Sequence, residues 1–519
     1  MDPRTPILVG IGTAHRPPDG SAGVEPIELM AEAVLAAGKD AGAPGLVARA
    51  RSIAVPGGNW TYPDPARLVA ERIGAADART VLSVIGVPQV TPVNVALDRI
   101  RRGELDVAIV VGGEAMASRL RAERTGRETP GGGGGNVLAG NLGDNDTAVD
   151  PPVPDETWVP EGEFMAEAEV QTGMWAPVEQ YACIDNALRV AEGGTIDQHL
   201  DEIAALWAGF NRVAQERVAR EQVAQHHAAA DFAEPRDAAF LRQAGPGNRA
   251  LAFPYAKWHV SQWSVDQAAA LILCSVGVAE AAGVSRDRWI FPAVSVESSF
   301  ACSLTKRAEM HRWPAMAVLG AAAADHIGRS LDEVDHVELY SCFPAAVRVQ
   351  QRELGLPHDG IPTLTGGMTF AGGPFNNFTY QATAAVVERL RAAGDGLGMV
   401  TTVSGLLTKP GLTVWSAHPP ERDALVLDLV DTAREATAVV DVTSSSSGAA
   451  TVATYTVTYE PGEAGDEPAK AFVVADLPDG RRWIGTSRSA DLLAAGVGAS
   501  GGELIGTTVV IDGTECAPA

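Results

Sequence analysis

One strand–turn–helix–strand pattern occurs twice in this chain, and it constrains the fold more than any other feature of the sequence. The first copy, GVPQ…DRIRRGELDVAIVVGG, covers residues 86–113, and the second, GGPF…ERLRAAGDGLGMVTTVSG, covers residues 372–405. Each copy has Gly-x-Pro at a helix entrance, then an arginine-rich turn and an apolar strand. The repeat predicts two similar halves whose helix entrances face each other, although two unrelated units could also resemble each other by chance.

Changes in composition and in the pattern of apolar residues along the sequence predict four domains. Strand and helix signals alternate over residues 1–115 and again over residues 265–420, which predicts two α/β halves with parallel, helix-covered sheets. Residues 116–264 contain charged helices and a glycine run at residues 131–135, and we expect an inserted loop domain with the run in a surface loop. Residues 421–519 contain short β-rich runs between turn residues, which predict a small antiparallel barrel or sandwich.

Composition excludes several classes of partner and site. The 519 residues carry a net charge of -25, so nucleic acid and anionic membrane surfaces are poor partners. The five cysteines form no C-x-x-C pair, which argues against a disulfide framework or a zinc site and predicts a reducing cytoplasm. No signal peptide is visible, and no apolar run approaches the roughly 20 residues of a spanning helix. We therefore expect a cytoplasmic protein without a metal site or a required cofactor.

The residue between Gly and Pro in each copy of the repeat lies just before a helix, where a thiolate or an imidazole would meet the positive end of the helix dipole. At this point the chain resembles the thiolase superfamily over residues 5–417. The segments that resemble family motifs are residues 86–117 for the acylated cysteine, VDQAAALILCS for the entry into the second half, LYSCFP for the oxyanion motif, LTGGMTFAGGP for the Gly-His-Pro loop and VSGLLTK for the second cysteine.

The nearest resemblance is to sterol-carrier-protein thiolases and to the type 1 bacterial thiolase-like proteins that carry a C-terminal β-barrel. It implies an α/β thiolase fold, in which two duplicated βαβ halves form five αβαβα layers. It also implies an OB-like barrel at the C-terminus.

Carried over position by position, the resemblance implies that the family's catalytic groups are missing. The nucleophilic cysteine matches Val87, the histidine that activates it matches Gly373, and the oxyanion-motif histidine matches Tyr340. The second cysteine falls at residues 402–404, where Ser404 replaces it and no thiol is present. Claisen condensation requires a thiolate to hold the acyl group and a base to take a proton. We therefore predict no useful thiolase turnover.

Tyr340 is the one candidate acid or base in this set. Some thiolase-fold proteins that lack the cysteine are retro-aldolases, which use tyrosines and pair with an OB-fold subunit. A retro-aldolase or acyltransferase that uses Tyr340 is therefore an alternative, and a phenol that only fills the vacated space is another. We expect the other thiols not to replace the nucleophile, with Cys342 and Cys302 buried and Cys274 in an apolar helix.

AKWHVSQWSVDQ lies where the family's CoA-contacting loop enters the second half, which makes four residues candidate contacts to CoA: Lys257, His259, Ser261 and Gln262. A solvated turn with Trp258 and Trp263 packed inward is the alternative. The sequence predicts a thiolase-like protein of the acetyl-CoA acetyltransferase type, which binds an acyl-CoA or related thioester in lipid or sterol metabolism. A non-catalytic scaffold that recruits a protein partner through the barrel is a further alternative. We expect a monomer if the barrel covers the usual dimer face.

Overall fold

The computed structural model describes residues 1–17, 23–126, 153–223, 230–462, 465–499 and 501–519. The glycine run at residues 131–135 lies outside the described residues. No helix within the described ranges is both long enough and apolar enough to cross a membrane.

The described strands, in chain order, are β1 (Pro6–Arg16), β2 (Ser52–Pro56), β3 (Arg79–Ser83), β4 (Val107–Ala115), β5 (Glu156–Trp158), β6 (Ala250–Ala252), β7 (Tyr255–Ala256), β8 (Asp266–Ser275), β9 (Phe291–Glu297), β10 (His336–Glu338), β11 (Leu397–Ser404), β12 (Lys409–Ser416), β13 (Leu425–Asp428), β14 (Val442–Thr443), β15 (Ser446–Gly462), β16 (Gly465–Asp476), β17 (Arg482–Ser487), β18 (Thr508–Gly513) and β19 (Glu515–Pro518).

The described α-helices are α1 (Pro26–Asp40), α2 (Pro65–Ile73), α3 (Thr91–Arg101), α4 (Met116–Thr125), α5 (Glu167–Thr172), α6 (Pro177–Ala191), α7 (Ile196–Val223), α8 (Ala238–Arg242), α9 (Val276–Ala281), α10 (Pro314–Ile327), α11 (Pro344–Leu354), α12 (Gly367–Phe370), α13 (Phe378–Ala393), α14 (Val430–Ala436) and α15 (Ala490–Gly496). Short 3-10 helices include Pro44–Arg49, Lys257–His259 and Phe375–Asn377. Proline lies in the first turn of α1, α2, α3 and α10, where its missing N–H leaves no helical hydrogen bond unmade.

The first sheet has the strand order β1-β8-β4-β2-β3-β5, and β8 lies antiparallel between β1 and β4. The sequence placed this segment in the second half, from residue 265 onward. The pairing corrects that boundary, because β8 completes the first sheet after the insertion. Cys274 lies in this strand and not in a helix. Every residue of β8 is buried, as expected for a central strand covered on both faces.

The second sheet repeats this arrangement, with the order β10-β11-β12-β9-β13. Here β12 lies antiparallel between β9 and β11, in the place that β8 takes between β1 and β4. The second copy of the sequence repeat, α13 followed by β11, therefore occupies the same position as α3 followed by β4. This confirms the predicted duplication. The second half also extends beyond the predicted boundary at residue 420, because β13 pairs with β9 and α14 packs on α10.

Helices and sheets alternate in five layers, as predicted. The helices α3 and α13 lie between the sheets, since α3 contacts β4 and β9 and α13 contacts β8 and β11. The outer face of the first sheet is covered by α1 and α2, and α10 covers the second sheet. Gly12 of β1 allows α1 to approach closely, because a Cβ at this position would lie 2.1 Å from the carbonyl oxygen of Ala33.

The C-terminal strands close into a barrel with the pairing order β15-β16-β17-β19-β18-β15, and α15 lies between β17 and β18 in the sequence. Apolar side chains such as Tyr455 and Trp483 belong to its core. The barrel contacts the inserted domain through the pairing of β15 with β6. It also contacts the second half, because Arg482 of β17 donates hydrogen bonds to the carbonyl oxygens of Thr305 at 3.2 Å and Arg307 at 2.6 Å.

Candidate functional site

Two helix entrances meet at the centre of the molecule, as the repeat predicts. Val87 lies in the loop before α3, and Gly373 lies in the loop before α13. Gln89, which is 3% exposed, joins the two entrances. Its side-chain oxygen accepts a hydrogen bond from Thr379 Oγ1 at 2.6 Å, and its main-chain oxygen accepts one from Tyr380 Oη at 3.0 Å. Sequence reasoning missed Gln89, since its partners lie far along the chain.

The loop that contains Val87 is fixed through its main chain. Ser404 Oγ donates a hydrogen bond to the carbonyl oxygen of Val87 at 3.2 Å, and Lys409 Nζ donates one to the carbonyl oxygen of Gly86 at 3.1 Å. Gly86 has a φ of 99°, in the left-handed region that glycine favours. Val87 itself is 6% exposed, and its isopropyl group neither titrates nor attacks a carbonyl. The turn therefore has a well-held backbone and an apolar side chain.

Ser261 fills the space beside Gly373. A Cβ placed on Gly373 would lie 1.9 Å from Ser261 Oγ, which is far inside van der Waals contact. The main-chain N–H of Gly373 donates to the carbonyl oxygen of Gln262 at 2.9 Å. The structure thus brings together the Gly-Gly-Pro loop and two of the four candidate CoA contacts. A histidine at position 373 would require Ser261 to move.

Tyr340 lies between the two entrances. Gln89 Nε2 donates to Tyr340 Oη at 3.3 Å, and Tyr340 Oη donates to the carbonyl oxygen of Phe375 at 3.5 Å. Its main chain is fixed by Gln350 Nε2, which donates to the carbonyl oxygen at 2.8 Å, and by Thr401 Oγ1, which accepts from the N–H at 2.9 Å. Burial raises the pKa of the phenol above its ordinary value, so the group is protonated at neutral pH. It can donate a hydrogen bond there, but it is a poor base.

All five cysteines are free and buried. Burial raises the pKa of Cys342 to about 12, that of Cys274 to about 12 and that of Cys516 to about 11, and it also raises the pKa values of Cys183 and Cys302. Since the thiolate is the reactive form, none of these thiols is primed as a nucleophile at neutral pH.

The four candidate CoA contacts have different environments. Lys257 is exposed, and its Nζ lies 4.7 Å from the ring centroid of Trp258. His259 is 1% exposed, its Nδ1 accepts a hydrogen bond from the N–H of Ala256 at 3.1 Å, and burial lowers its pKa to about 4. The imidazole is therefore a neutral interior group. Gln262 Nε2 donates to the carbonyl oxygen of Lys257 at 2.9 Å, which orders this segment. Contacts of these residues with CoA stay a prediction.

Two buried carboxyl groups lie at strand ends, and sequence reasoning missed both. Glu114, at the end of β4, is 3% exposed and accepts a hydrogen bond from the N–H of Asn59 at 2.9 Å. Burial raises its pKa to about 8. Glu297, at the end of β9, accepts a hydrogen bond from Thr91 Oγ1 at 2.5 Å, and burial raises its pKa to about 7. A carboxylate at a strand end looks like an ordinary surface residue in sequence, so only packing shows these groups.

Comparisons with known proteins agree with this architecture. The chain matches no protein-family model and no curated protein. It is similar to the solved structure of a monomeric SCP2-thiolase like protein type 1 (STLP1) from Mycobacterium smegmatis, with 26% identity, a TM-score of 0.79 and 100% of both chains covered. The chain belongs to the thiolase superfamily.

Two further solved structures share the thiolase fold, and each comparison covers 80% of this chain and 99% of the other chain. They are an acetyl-CoA acetyltransferase from Syntrophomonas wolfei, at 15% identity and a TM-score of 0.56, and the Ltp2-ChsH2(DUF35) aldolase, at 16% identity and a TM-score of 0.55. In this member of the superfamily, the junction of the two helix entrances contains the polar side chains of Gln89, Tyr340 and Ser404, each of which donates a hydrogen bond within the protein. Its turn residue Val87 supplies no nucleophile.

Proposed function

We propose that this chain binds an acyl-CoA or a related small-molecule thioester at the junction of the two helix entrances, and that it does not carry out the thiolase reaction. The observation that carries the proposal is that Val87 and Gly373 lie at these opposed entrances, at the positions matched to the cysteine and the histidine. The architecture that would position a thioester is present, and helix N-termini favour a partly negative oxygen.

The chemistry of the thiolase reaction requires groups that the junction lacks. Val87 cannot accept an acyl group, and no imidazole occupies position 373. Tyr340 is protonated at neutral pH because burial raises its pKa, so it does not replace a base. Removing the members of a catalytic unit typically lowers the rate by several orders of magnitude.

Two measurements on the full chain test this proposal. Titration calorimetry with acetyl-CoA, with CoA alone as the comparison, should show saturable binding. Incubation with acetoacetyl-CoA and CoA should show no CoA-dependent cleavage above the protein-free rate. Robust cleavage would contradict the second half of the proposal, and the absence of binding by any acyl-CoA would contradict the first half.

A second candidate function is a retro-aldol reaction that uses Tyr340 as an acid. The closed five-stranded barrel supports it, because the thiolase-fold retro-aldolases that the sequence resemblance brings in pair with an OB-fold subunit. Tyr340→Phe removes the phenolic proton and should abolish cleavage of a β-hydroxyacyl-CoA. A chain that neither binds nor cleaves thioesters would instead fit a scaffold that recruits a partner through the barrel.

We also propose that the chain is a monomer in a reducing compartment such as the cytoplasm. The neighbour from Mycobacterium smegmatis is described as monomeric. In this chain the short strand β5 pairs along β3 and leaves only a three-residue edge, which is a poor template for pairing between sheets. The free state of all five cysteines supports the reducing compartment. Light scattering on the purified chain should give the mass of one copy.

A further inference from the structure

The chain uses lysine very sparingly, and one of its lysines is buried at the junction. Of the 40 basic residues only five are lysines: Lys39, Lys257, Lys306, Lys409 and Lys470. Four of the five are exposed or half-buried, whereas Lys409 is 3% exposed. Arginine stays protonated in proteins, so lysine is the basic side chain that can lose its proton and become a nucleophile.

The Lys409 amine lies beside the turn that lacks the cysteine. Its Nζ donates to the carbonyl oxygen of Gly86 at 3.1 Å, and the next residue is Val87. In the described part of the chain this is its only hydrogen bond, and no carboxylate forms an ion pair with it. Glu161 and Asp428 act on it from longer range and favour the charged form, but burial is the larger effect and lowers the pKa of the amine.

One surface segment lies next to the turn that this amine contacts. Residues 159–164 lie over the turn, since Pro160 Cβ is 3.1 Å from an ideal Cβ on Gly86 and Phe164 Cβ is 3.2 Å from one on Gly405. All residues of this segment except the half-buried Pro160 are exposed. The turn whose carbonyl oxygen accepts from this amine is therefore covered by an exposed segment of chain.

We propose that Lys409 is an acyl-acceptor site, at which the amine takes the acyl group of a thioester bound at the junction. The nitrogen attacks the thioester carbonyl carbon, a C–N bond forms and the C–S bond breaks. The thiolate leaves and takes up the proton that the nitrogen loses, so the products are an amide on Lys409 and a free thiol. This inference rests on the proposed binding of an acyl thioester, and it describes a single covalent modification and not a turnover.

The other explanation of this contact is that Lys409 only holds the turn in place. Lys409→Arg separates the two roles, because arginine can still donate to the carbonyl oxygen of Gly86 but cannot become a nucleophile. Lys409→Met removes both roles. Lys39, Lys306 and Lys470, which are not candidate CoA contacts, are internal controls in the wild-type chain, so the comparison stands even if a variant fails to fold.

The experiment incubates the full chain at pH 7 and pH 8 with acetyl-CoA and, separately, with the small thioester S-acetyl-N-acetylcysteamine. Intact mass and peptide mapping then locate the acetyl groups. We expect one acetyl group, on Lys409, at a rate at least about tenfold above that of each control lysine, because a thioester bound at the junction is held beside this amine. We expect no preferential label in Lys409→Arg.

The outcomes separate this inference from the proposed function. If acetyl-CoA binds in calorimetry but labels Lys409 no faster than the exposed Lys306, the acyl-acceptor role is wrong and thioester binding stands. If acetyl-CoA does not bind but the small thioester still labels Lys409 preferentially, the role stands and the proposed function is wrong. Uniform labelling of all lysines without binding contradicts both.

Discussion

The close approach of Ser261 to Gly373 gives a prediction whose size follows from the structure. Gly373→Ala places a Cβ 1.9 Å from Ser261 Oγ, while Ser261 Cβ would be 3.3 Å away. The backbone at position 373 is not left-handed, so alanine meets a steric cost alone. Overpacking of this kind costs about 1–3 kcal/mol, towards the lower end if Ser261 turns about its Cα–Cβ bond. Ser261→Ala removes the clashing oxygen and should restore most of the loss in the double variant.

Differential scanning fluorimetry on wild type, both single variants and the double variant gives a double-mutant cycle for this contact. For a chain of 519 residues we expect a shift of Tm on the order of 1 °C per kcal/mol, because the unfolding entropy grows with chain length. Gly45→Ala is the matched control, since an added Cβ there meets nothing within 4 Å. Additive effects of Gly373→Ala and Ser261→Ala would refute the assignment of Ser261 to the space beside Gly373.

Three further predictions concern groups around the junction and the barrel. The pKa of Glu114 is about 8 in the folded chain and near 4.5 when unfolded, so its contribution to stability is complete below pH 4.5 and is lost as pH rises towards 8. Glu114→Gln should therefore remove a loss of unfolding free energy on the order of a few kcal/mol between pH 5 and pH 8, which is seen as a flatter fall of Tm over this range. Glu104→Gln on the surface should leave the fall unchanged. Arg482→Ala leaves carbonyl oxygens of the second half without a donor, so we expect the free energy of unfolding to fall by about 1–3 kcal/mol and proteolysis of the barrel to become faster. Unchanged proteolysis would show that Arg482 does not hold the barrel against the second half. Val87→Cys should fold and stay within about 1.5 kcal/mol of wild type, yet show no acetoacetyl-CoA cleavage, and measurable turnover would show that a base was overlooked.

The duplicated halves could be predicted from the sequence because each copy of the repeat is local: its helix and strand are adjacent, and Gly-x-Pro marks the helix entrance. The strand β8 could not be placed with the same certainty. Its apolar, alanine-rich sequence suits a helix or a buried strand, and its pairing with β1 and β4 decides between them. The alternative of a solvated turn has Trp258 and Trp263 packed inward; Trp258 is 7% exposed, whereas Trp263 is 51% exposed.

The residues of the candidate site also fall into those that the sequence predicts and those that only the structure shows. Val87 and Gly373 could be found because their positions follow from the repeat and from the resemblance that it carries. Gln89 could not be found, since it matters through contact with residues that are distant in the chain. Ser261 was predicted as a CoA contact, but its position beside Gly373 could not be found, for the same reason. Burial of Glu114 likewise depends on Asn59 and on the packing of the loop that follows β2, which the residues around Glu114 do not encode.

A valine at position 87 is compatible with an intact turn because the turn is held by its backbone. Hydrogen bonds reach the carbonyl oxygens of residues 86, 87 and 89 from Lys409, Ser404 and Tyr380, and none of them involves the side chain at position 87. Burial of the Val87 side chain stabilises the fold by about 1.5 kcal/mol or more relative to an exposed valine. The atoms that hold this turn are therefore different from the side-chain atoms that a nucleophile would supply. This separation explains how the thiolase architecture persists here around a junction without a thiolate.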